Sequence, residues 1–238
     1  MSGFLFGLIS LKIRFSFRTL LLFWLSLWSV WLHAAEIRLG ILAWQGESAS
    51  AVQWAPFVNA LQNKLPGQII EPHYYDLQGM AQAIQSGDVD FVITNPGHYV
   101  ALEYDLGISR IATQVPERTR DATHTVGSAV IVRADRQDLA SLNDLHKKTL
   151  AAVSPDAFGG YQVIWAELKS LGLDPESGDV TPLFTGFPMT HVIDQVRSGQ
   201  ADAGVIRNCL LEQQIAAGLV RPGEFRVLSP YKTELPCA

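Results

Sequence analysis

Cysteine is nearly missing from this chain: Cys209 and Cys237 are the only two in 238 residues. Two thiols rule out a disulfide framework, and their spacing matches no zinc ligand set. In an exported chain they leave open one bridge, Cys209 to Cys237, against two separate thiols. Charge is sparse as well, at 17% of residues. Positions 1–35 contain Lys12, Arg14 and Arg18 and no acidic residue, so the rest of the chain carries a net charge of −8. Nucleic-acid binding driven by bulk positive charge is thereby excluded. The chain also lacks a Gly-x-Ser-x-Gly elbow, a P-loop, a dinucleotide fingerprint and a carboxylate pair in catalytic context, which argues against an enzyme. His73, His98, His124, His146 and His191 show no paired metal spacing, so no metal or other cofactor is expected.

Long apolar runs are absent too, except for one. Residues 19–32 (TLLLFWLSLWSVWL) follow a basic start and precede Ala34 and Ala35, the three parts of an export signal. The run is shorter than the roughly 20 residues a spanning helix needs, but Phe15 and Phe17 extend it if Arg18 snorkels. Residues 1–35 are therefore expected to be a signal peptide or a membrane anchor. Either way the body lies outside the cytoplasm.

From residue 36 onward, strand-like and helix-like segments alternate. Residues 37–43 (IRLGILA) read as a buried strand, and Trp54, Val58, Leu61 and Leu65 then recur at helical spacing until Pro66-Gly67. Strands at 69–74 and 89–93 flank a short helix carrying Leu77, Met80 and Ile84. A second series begins with strands at 127–133 and 149–153. It continues with a helix bearing Tyr161, Ile164, Trp165, Leu168 and Leu171, a strand at 182–184, a helix bearing Val192, Ile193 and Val196, and a strand at 202–206. Such a rhythm specifies an α/β protein with mainly parallel sheets flanked by helices.

One motif occurs in both series. Ile84-Gln85-Ser86-Gly87-Asp88-Val89-Asp90 and Val196-Arg197-Ser198-Gly199-Gln200-Ala201-Asp202 each run from a helix into a strand. Gly87 and Gly199 are expected to end their helices in the left-handed conformation. Asp90 and Asp202 are expected to bond nearby amides at the start of a strand. Two lobes of related architecture follow, and with them a cleft. Ligands of open parallel sheets lie beyond the carboxyl ends of the strands. The candidate segments are therefore 44–48, 94–99, 154–161, 185–186 and 207–208, an inventory of amides, hydroxyls, aromatics and glycines with one arginine, suited to a small anion.

Asp90-Phe91-Val92-Ile93-Thr94-Asn95-Pro96-Gly97-His98-Tyr99, Phe158-Gly159-Gly160-Tyr161 and Ala201-Asp202-Ala203-Gly204-Val205-Ile206-Arg207 resemble the phosphonate-type branch of periplasmic substrate-binding proteins. Within it, the Thr-Asn-Pro-Gly segment and Arg207-Asn208-Cys209-Leu210-Leu211-Glu212 are most similar to the sensor domains of tetrathionate-sensing histidine kinases. The resemblance implies a two-lobed, type II periplasmic-binding-protein fold that closes on its ligand. It places lobe 1 at 36–120, lobe 2 at 121–220, and at 221–238 a return strand toward lobe 1, truncated by comparison with the family. It also implies a periplasmic location and a small oxyanion ligand such as tetrathionate, read by a membrane histidine kinase. The other role it offers is the substrate-binding component of an ABC transporter, with a permease as partner.

Phosphonate-binding members carry a Ser-Thr-Ser-Gly run where this chain has Ala157-Phe158-Gly159-Gly160. A phosphonate ligand is disfavoured by that loss, although the glycine amides remain available to an anion. The expected ligand-binding residues are Trp44, Asn95, Tyr99, Phe158, Gly159, Gly160, Tyr161 and Arg207. Arg207 has a second reading as a salt-bridge partner of Asp202 or Glu212, Tyr161 as core, and Trp44 as packing between lobes.

Overall fold

The computed structural model describes residues 35–114 and 126–228. The segment expected to be a signal or anchor, 1–35, and Cys237 lie outside them, apart from Ala35. No helix among the described residues is long and apolar enough to cross a membrane.

The first sheet has the order β2-β1-β3, formed by β1 (Ala35–Leu42), β2 (Gln68–Tyr75) and β3 (Phe91–Ile93). β1 pairs with β3 in parallel, Leu39 opposite Phe91. Alternation along β1 serves two helices. Leu39 and Ile41 face Trp54, Val58 and Leu61 of α1 (Glu47–Lys64). Gly40 and Leu42 turn to the opposite side, toward α2 (Leu77–Ser86), where a Cβ on Gly40 would meet Met80 Sδ at 2.9 Å. Helix α3 (Pro96–Leu106) follows β3 directly.

The second sheet has the order β6-β5-β7-β4-β8. Its strands are β4 (Ser128–Arg133), β5 (Thr149–Ala152), β6 (Thr181–Phe184), β7 (Ala203–Arg207) and β8 (Phe225–Leu228). β5 is parallel to β6 and to β7, while β4 is antiparallel to β7 and to β8. The sheet is thus mixed rather than mainly parallel. The reason is directional: β4 starts opposite the carboxyl end of β7, with Ser128 across from Arg207, and runs away from the end where β5 and β7 finish.

The segment 225–228 also departs from expectation. It pairs with β4, Val130 opposite Leu228, so it is an edge strand of the second sheet and that sheet extends beyond residue 220. Phe225 and Leu228 are both buried but on opposite faces of the sheet, Phe225 in the cluster that holds Val192 and Val196 and Leu228 in the cluster that holds Ile164 and Leu168.

Val130, Val132, Leu150 and Val205 pack beneath α4 (Val163–Ser170) through Ile164 and Leu168. The other face packs against α5 (Thr190–Ser198). Gly204 permits that approach, since a Cβ there would stand 2.7 Å from both Val192 Cγ1 and Val196 Cγ2. One buried cluster crosses from sheet to sheet, joining Leu42, Met80 and Leu102 to Val153, Ala157, Met189 and Ile206.

The repeated motif behaves alike in both halves. Gly87 (φ 71°) and Gly199 (φ 77°) close α2 and α5 in the left-handed region. Asp90 N–H donates to Arg38 O and its carboxylate accepts from Arg38 N–H, both at 2.9 Å. Asp202 makes the same pair of bonds with Thr149 O and N–H, again at 2.9 Å. Each carboxylate also takes an arginine, Arg38 for Asp90 and Arg136 for Asp202.

Candidate functional site

The carboxyl ends of β1, β5 and β7 converge where the two sheets meet. Trp44 follows β1, and its carbonyl accepts the N–H of Met189 at 3.2 Å, from the residue capping α5. Its indole lies under the Arg207 guanidinium, with Cζ 4.9 Å from the ring centroid. That distance is within cation–π range, and the contact joins an aromatic of the first half to a cation of the second.

Several contacts hold Arg207 in place. Its backbone N–H donates to Met189 Sδ at 3.0 Å. The next residue, Asn208, is bound twice to Gly127, donating its N–H to Gly127 O and accepting the Gly127 N–H on Oδ1, each at 3.0 Å. The Arg207 stem passes beside Gly159, where a Cβ would lie 3.7 Å from Cγ and only 3.2 Å from Gly127 O. A side chain at 159 would press on Val126 Cγ1 and Gly127 O, at 3.1 and 3.2 Å, while touching the arginine stem at ordinary van der Waals distance.

Arg207 is mostly buried, and its Nε has no hydrogen-bond partner. Desolvation pulls its pKa below the ordinary arginine value, and no carboxylate among the described residues opposes the shift. The salt-bridge reading does not hold for Asp202, whose carboxylate binds Arg136 and Thr149. A buried guanidinium without an anion is costly, so the position is built for an incoming acceptor.

Phe158 opens a π-helical turn, Phe158–Gln162, that leads into α4. It meets Gly97 in the first turn of α3, where a Cβ would come within 2.9 Å of Phe158 Cδ2 and 3.0 Å of its Cβ. Gly160 is closed in by Val153 and Met189. The junction therefore brings together Trp44, Phe158, Gly159, Gly160 and Arg207.

Asn95 stands at the edge of this group. It does not lie in an open loop: it is the N-cap of α3, accepting His98 N–H on Oδ1 at 2.8 Å. Tyr99 projects elsewhere and donates its hydroxyl to Glu103 one turn along the same helix, a contact that raises its pKa. Tyr161 belongs to the core beneath α4, edge-on to Phe184 with ring centroids 5.1 Å apart. Burial raises its pKa.

Met189, Gly97, Ser154 and His98 complete the junction; the last three fall within the candidate segments 94–99 and 154–161, whereas Met189 lies outside every candidate segment. Ser154 Oγ is buried and unpartnered. His98 is buried with Nδ1 2.8 Å from Thr94 Oγ1; burial lowers its pKa, and Asp156 from the second half pulls the other way. The signal for α3 was present in Asn95-Pro96, an N-cap followed by proline at the first helical position. The partners of Met189 and Gly97 are too distant in sequence to leave a local mark.

A family model described as the periplasmic substrate-binding protein of a phosphonate ABC transporter matches residues 39–235. The chain belongs to this family. It is a family of substrate-binding proteins rather than catalysts. The binding domain is 34% identical over 205 residues to the tetrathionate sensor histidine kinase TtrS of Salmonella typhimurium strain LT2, a match covering 86% of this chain and 34% of that protein. It thus spans about a third of that relative's length. Among solved structures, PhnD1 from Prochlorococcus marinus in complex with methylphosphonate superposes with a TM-score of 0.67 at 16% identity, covering 83% of this chain and 72% of that one. XAC2383 from Xanthomonas citri bound to chloride gives 0.63 at 22% identity, covering 82% and 72%. These similarities establish the two-lobed periplasmic binding-protein fold.

Proposed function

We propose that this domain binds a small sulfur oxyanion such as tetrathionate between its halves and reports the resulting closure as the sensory part of a two-component system. The observation that carries the reading is Arg207: a buried guanidinium with no carboxylate partner among the described residues, stacked on Trp44 of the other half. An anion at Arg207 supplies the missing countercharge, and the Trp44 contact exists only while the halves are together. Binding therefore favours the closed state by population shift. Similarity to a tetrathionate sensor kinase over most of this chain supports sensing, with a membrane histidine kinase as partner. The lobes are read as 36–120 and from 121 onward, the body being periplasmic and residues 1–35 serving as export signal or tether.

Transport is the second reading, favoured by the family's description as an ABC transporter component; it calls for a permease. Mass spectrometry of the mature N-terminus separates a cleaved soluble form from a tethered one.

The test is calorimetry of the full chain against tetrathionate, thiosulfate, sulfate and methylphosphonate. Tetrathionate binding is expected to fall by at least about tenfold in Arg207→Ala, the usual loss for a charge-assisted hydrogen bond, with far-UV circular dichroism unchanged. A wild-type chain that binds none of the four overturns the oxyanion reading, and unchanged affinity in the variant removes Arg207 from the site.

A further inference from the structure

Arg207 Nε is not the only buried donor at the junction without an acceptor. Ser154 Oγ is another, and the sheet relates the two. β5 and β7 run parallel with Leu150 opposite Ala203 and Ala151 opposite Gly204. β5 ends at Ala152 and β7 at Arg207; continued two residues past the end of β5, that register would bring Ser154 beside Arg207. Side chains opposite one another on neighbouring strands share a face. Here it is the face of Ala152 and Val205, which pack in the cluster under α4. The first turn leading into α4 touches both positions: Gly159 lies beside the Arg207 stem and Gly160 beside Val153, while Ala157 N–H donates to Ser154 O at 3.2 Å.

We infer that Ser154 is a ligand-binding residue, its hydroxyl and Arg207 Nε forming a cradle of donors for one fully ionised oxyanion head. This rests on the oxyanion reading above and adds to it a second residue and a rule of selection. The rule comes from the surrounding acceptors, which are already engaged. Trp44 O holds Met189 N–H, Gly127 O holds Asn208 N–H, Val153 O holds Gly186 N–H, and Gly159 O holds the Ser128 hydroxyl at 2.8 Å. Among the described residues no carboxylate contributes to the charge environment of Arg207. A sulfonate-type head carries no proton near neutral pH and only accepts, so it satisfies both donors. A phosphonate monoanion retains a P–OH that must find an acceptor; a Ser154 hydroxyl turned to accept it no longer donates to the head, and the surrounding carbonyls already hold one donor each, so the protonated head gains fewer bonds. Selection against the protonated head follows from hydrogen-bond polarity, with no difference in size required.

Removal of an unpartnered buried hydroxyl has a second consequence, opposite in sign. It relieves a desolvation cost in the ligand-free protein. Ser154→Ala is therefore expected to raise the ligand-free melting temperature by about 1–4 °C and to weaken tetrathionate binding about tenfold. A residue of purely structural importance would move the first quantity downward. Ser154→Thr keeps the hydroxyl and should retain most of the affinity.

The experiment is calorimetry and thermal melting of the full chain, wild type and both variants, with tetrathionate and methylphosphonate as probes at neutral pH. If wild type binds tetrathionate and Ser154→Ala binds it equally well, Ser154 leaves the site while the oxyanion reading stands. If wild type binds methylphosphonate as tightly as tetrathionate, the donor-only rule is wrong. If it binds neither, the cradle and the oxyanion reading fall together.

Discussion

Asp90 and Asp202 perform the same task in different surroundings. Asp90 is exposed, and the Arg38 guanidinium and N–H hold its carboxyl down to about 2. Asp202 is partly buried, which by itself would raise its pKa; the bonds from Thr149 N–H and Arg136 outweigh burial and lower it. A carboxyl depressed in the folded state contributes stability above its unfolded pKa and loses it as pH falls through the folded value. For Asp90 that window runs from 3.8 down to about 2. Asp90→Asn is expected to flatten the stability–pH curve in this window while lowering stability modestly at pH 7, as urea melts at stepped pH would show. An unchanged acid limb would mean that the Arg38 pair is not coupled to folding. Both aspartates were legible from the repeated motif, because Ser-Gly-x-x-Asp is a local signal. Their arginine partners were not, since Arg38 and Asp90 are 52 residues apart.

At the scale of elements, apolar periodicity located the strands and the core helices. Helix α3 was missed because it buries only His98 and Leu102 and presents no apolar stripe; what forms it is the Asn95 cap and Pro96, not a hydrophobic face. The strand at β8 was expected, from the family resemblance, to return toward lobe 1, whereas it pairs with β4; four residues carry no local signal for which sheet edge they join. The approach of α5 to β7 depends on Gly204, where a Cβ would stand 2.7 Å from Val192 and Val196. Gly204→Ala must push Val192 and Val196 away, overpacking that costs about 1–3 kcal/mol. Urea denaturation should show a lower midpoint with an unchanged slope. An unaffected midpoint would imply that α5 can lift from the sheet at no cost.

For the whole molecule, the buried cluster shared by Leu42, Met80 and Leu102 with Val153, Ala157 and Met189 couples the halves. Gly97 is packed against Gln162 and Phe158 across the junction, and an added Cβ would meet Gln162 Oε1 first and then Phe158 Cδ2 at 2.9 Å. Gly97→Ala is expected to hold the halves apart, weakening tetrathionate binding by about tenfold through an overpacking cost of similar order. Small-angle scattering with saturating tetrathionate should then report a larger radius of gyration than wild type. Equal affinity and equal radius would show that closure does not require this contact.

Local chemistry determined the alternation of strands and helices, the left-handed glycines, the doubled aspartate turns and the family motifs, because each depends on neighbours within a few residues. The site was only half legible. Arg207, Trp44 and the Phe158-Gly159-Gly160 run follow or flank strands whose carboxyl ends were expected to face a ligand, whereas Tyr161 and Tyr99 carry suitable groups that point into the core and along α3. Tertiary structure alone decided that Met189 joins Trp44 to Arg207 and that β8 pairs with β4. Those relations depend on which distant segments come together, and the burial of one shared apolar cluster sets that.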